Sequence, residues 1–345
     1  MTSTTLSQET TVPETSADTT AFPDERGRRA RVLFIGDTHA NDEAPRWRSD
    51  NYLDACVSEL AEALAVARDR RCDAVVHLGD VFQRPEPSGE CRNRILKTFQ
   101  QDEMGRPWPF RKFVVLGNHD IGNHIDNLGR SALGTLIYAG AVERVDGDEG
   151  LRLGFGHFRV GIEDELRDGC LLKKTPLIWA LHAMVLTEKP PFNPYILFEE
   201  LPLEDSCRMV IAGHYHPPLQ HVRADGARFI NPGSVCRRSL KADEKARQPA
   251  VLLVDYALDG SDFQTEFIPL ASSLPADQIF DMPKAQAQAD QKAMMDRYLD
   301  GISVVATAAT SDDIIDGLRV AGVEKNIPER VVARAIEAVE RAQNG

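Results

Sequence analysis

The sequence predicts an α/β protein, a four-layer α/β/β/α sandwich followed by a small helical appendage. Three observations carry that prediction. Short apolar runs alternate with amphipathic stretches up to Asp120, β-branched runs dominate the next half, and from about Ala271 the composition turns to Ala, Gln, Asp and Lys.

Arg31–Asp37 (RVLFIGD) is a short apolar run closing on Gly-Asp, as expected of a buried strand that feeds a loop. From Ser49 to Arg70, Leu53, Val57, Leu60, Leu64 and Ala67 recur at helical spacing and form one apolar face. A second strand, Asp73–Asp80 (DAVVHLGD), again ends in Gly-Asp. A polar helix follows over Ser88–Gln101, and a third strand, Lys112–Gly117, runs into Asn-His-Asp. Such alternation implies a largely parallel sheet with helices on its faces. In sheets of that kind, chemistry gathers beyond the carboxyl ends of the strands.

In the second half, Leu151–Ile162 reads as a hairpin, Leu177–Leu181 as a strand ending at His182, and Arg208–Ala212 as a strand ending at Gly-His. Arg228–Ile230, Ala250–Tyr256 and Phe263–Ile268 continue as short strands, giving a second sheet packed on the first. A helix is then predicted over Lys284–Leu299. Ser311 is a good N-cap, with Asp312 and Asp313 in the first turn and Ile314, Ile315 and Leu318 on one face. A last helix starts near Pro328 and carries Val332, Ala335, Ile336 and Val339 on one stripe. The expected division is a tail (residues 1–29), a main domain (30–270) and a helical region (271–345).

The Ser-, Thr-, Glu- and Pro-rich N-terminus has neither the basic start nor the apolar core of a secretory signal, and is expected to be disordered until about Arg28. No apolar run approaches the roughly 20 residues that a membrane span needs, and a cytoplasmic location is expected. The formal net charge of −13 counts against tight, unaided DNA binding, because proteins that grip phosphates broadly present a basic face. Basic residues cluster only locally: Arg26, Arg28, Arg29 and Arg31; Arg46 and Arg48 around Trp47; and Arg237 with Arg238. A site holding two divalent cations would still supply its own positive charge. Cys56, Cys72, Cys91, Cys170, Cys207 and Cys236 form no CxxC pair and read as reduced, mostly buried thiols.

Five short motifs carry the chemistry, and each falls at a strand end. Asp37-Thr38-His39 sets a carboxylate and an imidazole two residues apart, where extended chain points both the same way to grip one cation. In Gly79-Asp80 the glycine permits the turn and the carboxylate can bridge two metals. Gly117-Asn118-His119-Asp120 offers a neutral oxygen ligand in Asn118, with His119 pointing elsewhere and free to act as an acid. His182 ends its strand alone, and Gly213-His214-Tyr215-His216 puts two imidazoles where they can ligate neighbouring ions. Singly these triplets are common; in this order they leave little room for chance. Carboxylate, amide and imidazole without thiolate suit Mn²⁺, Fe or Zn²⁺ rather than a structural zinc site. His77 lies inside a strand and reads as structural, while His124, His157 and His221 have no motif context.

At these residues the chain resembles the calcineurin-like metallophosphoesterases, whose D-x-H, G-D, G-N-H-D, H, G-H-x-H pattern is complete between Val32 and His216. The resemblance implies that Asp37, His39 and His216 ligate one metal, that Asn118, His182 and His214 ligate the other, and that Asp80 bridges them. It also implies that His119 assists the leaving group, and that two ions activate a water for in-line attack on a phosphodiester. Softer similarities point to the SbcD-like DNA repair nucleases, of the compact, phage-like kind. GDVFQRPEPS after the second strand and NPGSVCRRS after GHYHPP are similar to segments of that branch, and the helical C-terminus lies where it docks an ATPase. That resemblance implies an Mn²⁺-dependent DNA exonuclease, an SbcC-like ATPase partner, a homodimer, and phosphate contacts from Arg237 and Arg238. Gln83 departs from it, standing where several such nucleases carry His beside the substrate. No P-loop is present, so the chain is not expected to be its own ATPase. The alternatives are a phosphodiesterase or phosphatase for a nucleotide or other small ester, which suits the acidic charge, and a non-catalytic scaffold.

Overall fold

The computed structural model describes residues 28–122, 125–169, 176–306, 311–324 and 327–344; the predicted disordered tail, His124 and Cys170 lie outside them. The first part of the chain runs β1 (Arg29–Ile35), α1 (Tyr52–Asp69), β2 (Ala74–His77), α2 (Gly89–Gln100), β3 (Arg111–Val114), α3 (Asn118–Ile121) and α4 (Ala132–Tyr138). There follow β4 (Gly147–Asp148), β5 (Leu153–Gly156), α5 (Ile162–Arg167), β6 (Ile178–His182), β7 (Val185–Leu186), β8 (Ile196–Leu197), β9 (Met209–Gly213), β10 (Leu219–Val222) and β11 (Arg228–Asn231). The last stretch holds α6 (Ala242–Ala246), β12 (Ala250–Ala257), β13 (Phe263–Pro269), α7 (Ala276–Ile279), α8 (Met282–Ala306), α9 (Ser311–Glu324) and α10 (Glu329–Asn344).

One sheet has the order β13-β12-β1-β2-β3 and the other β10-β11-β9-β6-β5-β4. In the first, β1, β2 and β3 are parallel and the late strands β12 and β13 add on antiparallel. In the second, β5, β6, β9 and β11 are parallel and the edges are antiparallel. The alternation of side chains across a strand builds the layers. Val32 and Phe34 of β1 face inward with Val76 and Phe113, onto Phe155, Ile178, Met209 and Ile211 of the second sheet. Leu33 and Ile35 face outward, onto Leu53, Leu60 and Leu64 of α1 and Ile95 and Phe99 of α2. The outer face of the second sheet is covered by Ile162 and Leu166 of α5 together with Ile196 and Phe198. The predicted four-layer sandwich is therefore present, with its second helical layer thin.

Helix α1 starts where Asn51 accepts a hydrogen bond from the Asp54 amide (3.2 Å), a side-chain N-cap. Its predicted face is rotated slightly: Cys56 and Ala63 join the core, and Val57 is only partly buried. The expected hairpin at Leu151–Ile162 is not formed. Strand β5 pairs instead with the upstream β4, and Gly161, at φ 83°, turns the chain into α5. Glu163, Asp164 and Glu165 in the first turn favour a helix start there, through the N-terminal end of the helix dipole. The helix predicted over Lys284–Leu299 is longer at both ends, with the Asp281 carboxylate accepting from the Lys284 amide at its start (3.0 Å).

Past β13 the chain stays tied to the sandwich before it becomes helical. The Ser49 amide donates to the Ile279 carbonyl (2.9 Å) and the Asp281 amide to the Trp47 carbonyl (2.8 Å). Trp47 packs on Ala276, Ile279 and Phe280. Helices α8, α9 and α10 then stack in sequence, with Leu318 buried. The free cysteines among the described residues are buried, and no described helix is long and apolar enough to cross a membrane.

Phe34 has no solvent exposure and lies in the cluster between the sheets. Phe34→Ala is expected to cost about 3–5 kcal/mol in urea unfolding; a loss under about 1 kcal/mol would show that the sheets are not cemented there.

Candidate metal centre

The carboxyl ends of β1, β2 and β3 in one sheet and of β6 and β9 in the other meet along one rim, and each delivers one polar loop to it. The loops are bolted together by backbone before any side chain is considered. The amides of Thr38 and His39 both donate to the Asp80 carbonyl (3.1 and 2.8 Å), and Ala40 donates to Val81 (2.9 Å). The Asp37 carboxylate accepts the His214 amide with both oxygens (3.2 and 3.1 Å). Asp80 Oδ1 accepts the His119 amide (2.8 Å).

Two features of the chain permit this crowding. His39, Asp80 and His214 all sit in left-handed backbone, at φ 51°, 51° and 84°, a conformation that costs a non-glycine residue about 1–3 kcal/mol and is retained at functional sites. Glycine is required beside them. A Cβ on Gly117 would stand 2.1 Å from Asp80 Oδ1, and one on Gly79, itself at φ 100°, 2.3 Å from His182 Nδ1.

The candidate ligand atoms converge in two groups. In one, His39 Nε2 and His216 Nε2 are 2.9 Å apart, and Asp37 Oδ2 lies 3.8 and 3.6 Å from them respectively. In the other, His182 Nε2 is 3.2 Å from both Asn118 Oδ1 and His214 Nδ1. Asp80 Oδ2 stands between the groups, 3.5 Å from His39 Nε2 and 3.5 Å from His182 Nε2. Metal–ligand bonds of about 2.0–2.2 Å put neighbouring donor atoms roughly 2.8–3.6 Å apart, so the spacing fits two cations sharing one carboxylate oxygen. The rings are oriented for it. The Leu78 carbonyl can only accept, so His182 holds its proton on Nδ1 (2.7 Å) and turns the Nε2 lone pair inward.

The electrostatics also fit. Asp37 and Asp80 are 2% and 1% exposed, and neither has a Lys or Arg ion pair among the described residues. Burial, with the Asp80 charge adding to it, pushes Asp37 up to about 7. Burial would raise Asp80 too, but His182 and His39 around it hold it well below the usual carboxylate range. His182 is raised to about 9, Asp80 overcoming the effect of burial. Burial lowers His214 to about 3 and His216 to about 4, and takes His39 well below its ordinary value. Three neutral imidazoles thus offer lone pairs, while the proton favoured on His182 stands where a cation's charge would replace it.

Of the remaining expected residues, His119 is at the mouth. Its Nδ1 donates to the Gln83 carbonyl (2.7 Å), which leaves Nε2 as the exchanging nitrogen, and its ring meets that of His39 edge-on at 4.8 Å. The two arginines separate. Arg238 is half-buried at the site: its charge acts on Asp37, His39 and His216, and its Nη2 donates to the Gln83 side-chain oxygen. Arg237, expected beside it, is turned inward and 3% exposed. Its carbonyl accepts from Arg48 (2.5 Å), and its guanidinium lies near Glu59 and Gln248, its pKa lowered by burial and by Arg247. The expected pairing of the two arginines at the substrate is thus corrected, because the Arg237 guanidinium is buried beside Glu59 and Gln248 while Arg238 reaches Gln83.

Several supporting residues carry no motif of their own. Asp120 accepts from the amides of Phe82 and Gly117 (3.0 and 3.1 Å) and so shapes the turn that presents Asn118; burial and the Asp80 charge raise it to about 8. His77 holds the Thr38 hydroxyl (2.8 Å), and His157 accepts the Leu116 amide (3.1 Å). Phe158, next along, packs its ring against His214 and His182 (5.9 and 6.1 Å between centroids). The Asn231–Arg238 loop braces the first ligand group: Val235 donates to the Asp37 carbonyl (2.9 Å) and Ser234 to the His216 carbonyl (3.0 Å). Arg247 in turn holds the Ser234 carbonyl and hydroxyl (2.5 and 2.7 Å).

A family profile described as calcineurin-like phosphoesterase matches residues 30–231. Among solved structures, the chain is similar to a dimetal phosphatase from Danio rerio, at 15% identity and a TM-score of 0.41, covering 70% of this chain and 99% of that one. It is also similar to the protein TT1561 of Thermus thermophilus, at 11% identity and a TM-score of 0.39, with 70% and 99% covered. No curated protein matches the sequence.

Removing the bridging charge should weaken both ions together. Titration with Mn²⁺ is expected to raise the unfolding midpoint of the native chain, by about 2.7 kcal/mol of stability at a hundred times Kd, and to leave Asp80→Asn nearly unmoved. Two tightly held ions per chain in the variant, counted by elemental analysis, would refute the bridge.

Proposed function

Because this chain belongs to the calcineurin-like phosphoesterase family, we propose that it hydrolyses phosphodiesters at a two-cation centre built on Asp37, His39, Asp80, Asn118, His182, His214 and His216, with Mn²⁺ as the working metal. The observation that carries the reading is the place of Asp80 Oδ2, 3.5 Å from a ligand nitrogen of each group. When bound, two divalent ions lower the pKa of a water and neutralise charge on the attacking and leaving oxygens.

The chain's own groups supply the rest. With Nδ1 committed to the Gln83 carbonyl, His119 can carry a second proton only on Nε2 and hand it to a leaving alkoxide. Arg238 lends its charge beside the first ligand group, where a non-bridging phosphoryl oxygen would lie. Phe158 packs against His182 and His214 and shields that flank from water.

The substrate we propose is a nucleotide or a nucleic-acid end rather than a long stretch of duplex. Arg29 and Arg31 are engaged with Asp255, Arg48 with Asp50, and Arg237 is inside, while Arg238 lies beside the first group of site residues, where it can meet a phosphate. A DNA exonuclease role therefore draws its duplex affinity from a partner, an SbcC-like ATPase at the C-terminal helices, while a small diester needs none.

The test is Mn²⁺-dependent hydrolysis of end-labelled linear DNA beside an aryl phosphodiester. Cleavage of the aryl ester alone favours the small substrate or a partner-dependent nuclease, and shortening of DNA favours the exonuclease. An inert native chain toward both esters would sink the diesterase reading. His119→Ala is expected to lower kcat by about 10²–10⁴-fold with its metal content unchanged; a fall in metal content would reassign His119 as a ligand.

A further inference from the structure

We propose that Gln83 is the positioning residue of the substrate rim, holding the phosphate-binding arginine Arg238 as an un-neutralised cation while its own main chain holds His119. The inference rests on the phosphodiesterase reading for its substrate, but on contacts of its own for its content. Gln83 follows the bridging Asp80 by three residues, and its amide donates to the Ala40 carbonyl (3.0 Å), which fixes it to the loop that carries His39. From that anchor it makes two contacts. The main-chain carbonyl accepts Nδ1–H of His119 (2.7 Å), and the side-chain oxygen accepts Nη2–H of Arg238. The amide orientation is forced, because a guanidinium has donors only and must face Oε1.

The chemistry of the partner matters. Several half-buried or exposed arginines elsewhere meet a carboxylate, as Arg31 does Asp255, Arg106 Asp102 and Arg159 Glu165, while Arg46, away from the site, donates to the Gln288 amide oxygen. The Arg238 guanidinium also meets a neutral amide, and among the described residues no carboxylate lies within ion-pair distance of it. Its backbone is steadied separately, the Arg238 amide donating to Glu244 (3.4 Å) and the preceding carbonyl accepting from Arg48 (2.5 Å). An amide uses one N–H without cancelling the charge, so the other donors of the planar fork stay available for two oxygens of a phosphate. The NH₂ group of Gln83 is then directed away from Arg238 and can add a donor to the same anion.

The two contacts of Gln83 are chemically separable, which makes the idea testable. Any substitution at position 83 keeps the carbonyl that holds His119 and changes only the contact to Arg238. The probe is inorganic phosphate titrated calorimetrically into the Mn²⁺-loaded full chain, with kcat and KM for an aryl phosphodiester measured alongside. Gln83→Glu should turn the contact into an ion pair and weaken phosphate binding about tenfold, and Gln83→Met, similar in shape but without the acceptor, about threefold to tenfold. Both should raise KM and leave kcat within about twofold. Arg238→Ala should weaken phosphate by a similar factor, and adding Gln83→Met to it should change nothing further, because the pair acts as a unit. Unfolding midpoints of all variants identify any that fail to fold, and Gln83→Met serves if Gln83→Glu does.

Phosphate binding that is unchanged in both Gln83 variants, or losses that simply add in the double variant, would overturn the inference even if the enzyme turns over. Failure of the native chain to bind phosphate would overturn it as well. A native chain that binds phosphate with the expected coupling yet cleaves no ester would instead remove the phosphodiesterase reading and leave the role of Gln83 standing.

Discussion

Two carboxylates, Asp37 and Asp80, are buried side by side among imidazoles, with no Lys or Arg ion pair to either among the described residues, and the rest of the structure is arranged around holding them there. An isolated buried carboxylate is costly unless it is paired, hydrogen-bonded or bound to a metal. Here the hydrogen bonds come from main-chain amides: His214 to Asp37 and His119 to Asp80. Those amides reach the carboxylates because the loops bend sharply, and the bends demand left-handed His39, Asp80 and His214 together with Gly79 and Gly117. The strain is tolerable because five strands from two packed sheets fix the loop ends. The centre depends on the sheets for its geometry, and its hydrogen bonds in turn tie the loops of one sheet to those of the other.

This division of labour explains what could be read from the sequence. The candidate ligands were legible because each sits at the end of a buried strand, where an apolar run breaks abruptly into Gly-Asp, Asn-His or Gly-His or stops at a lone His; strand and motif are one local signal. The layers were legible from the strand–helix alternation of the first half and the run of strands in the second, but which of Val32, Leu33, Phe34 and Ile35 faces inward was not, since all four are apolar. The hairpin expected at Leu151–Ile162 failed because the partner of β5 lies before it, at Gly147–Asp148, in a stretch with no β-branched residue. Pairing is a long-range property that such a run does not encode.

The supporting shell was illegible for a different reason: its work is done largely by main-chain atoms. Gln83 serves His119 through a carbonyl, His182 is oriented by the carbonyl of Leu78, and Val235 and Ser234 brace Asp37 and His216 through amides. Residue type says little about such contacts. Arg237 and Arg238 show the converse limit. They are adjacent and identical, so composition treats them alike, yet one braces the interior and the other reaches the rim. Only the direction of the backbone at Cys236–Arg238 distinguishes them.

The acidity of the chain takes on a local meaning once the arginines are placed. Several of the arginines that composition would offer to a phosphate backbone are engaged by nearby carboxylates. Arg29 and Arg31 converge on Asp255, Arg70 on Glu266, and Arg111 on Glu143 and Asp148. Exposed pairs of this kind add little stability, but they do remove long-range attraction for a polyanion. At the rim of the candidate metal centre, Arg238 faces an amide instead of an acid. On the proposed reading, a substrate would be selected by the phosphate that the cations and Arg238 hold together, and the net negative charge of the chain would repel the flanking phosphates of a long polyanion. On that argument, an end or a small ester is favoured over the middle of a duplex by charge distribution alone, before any question of pocket shape arises.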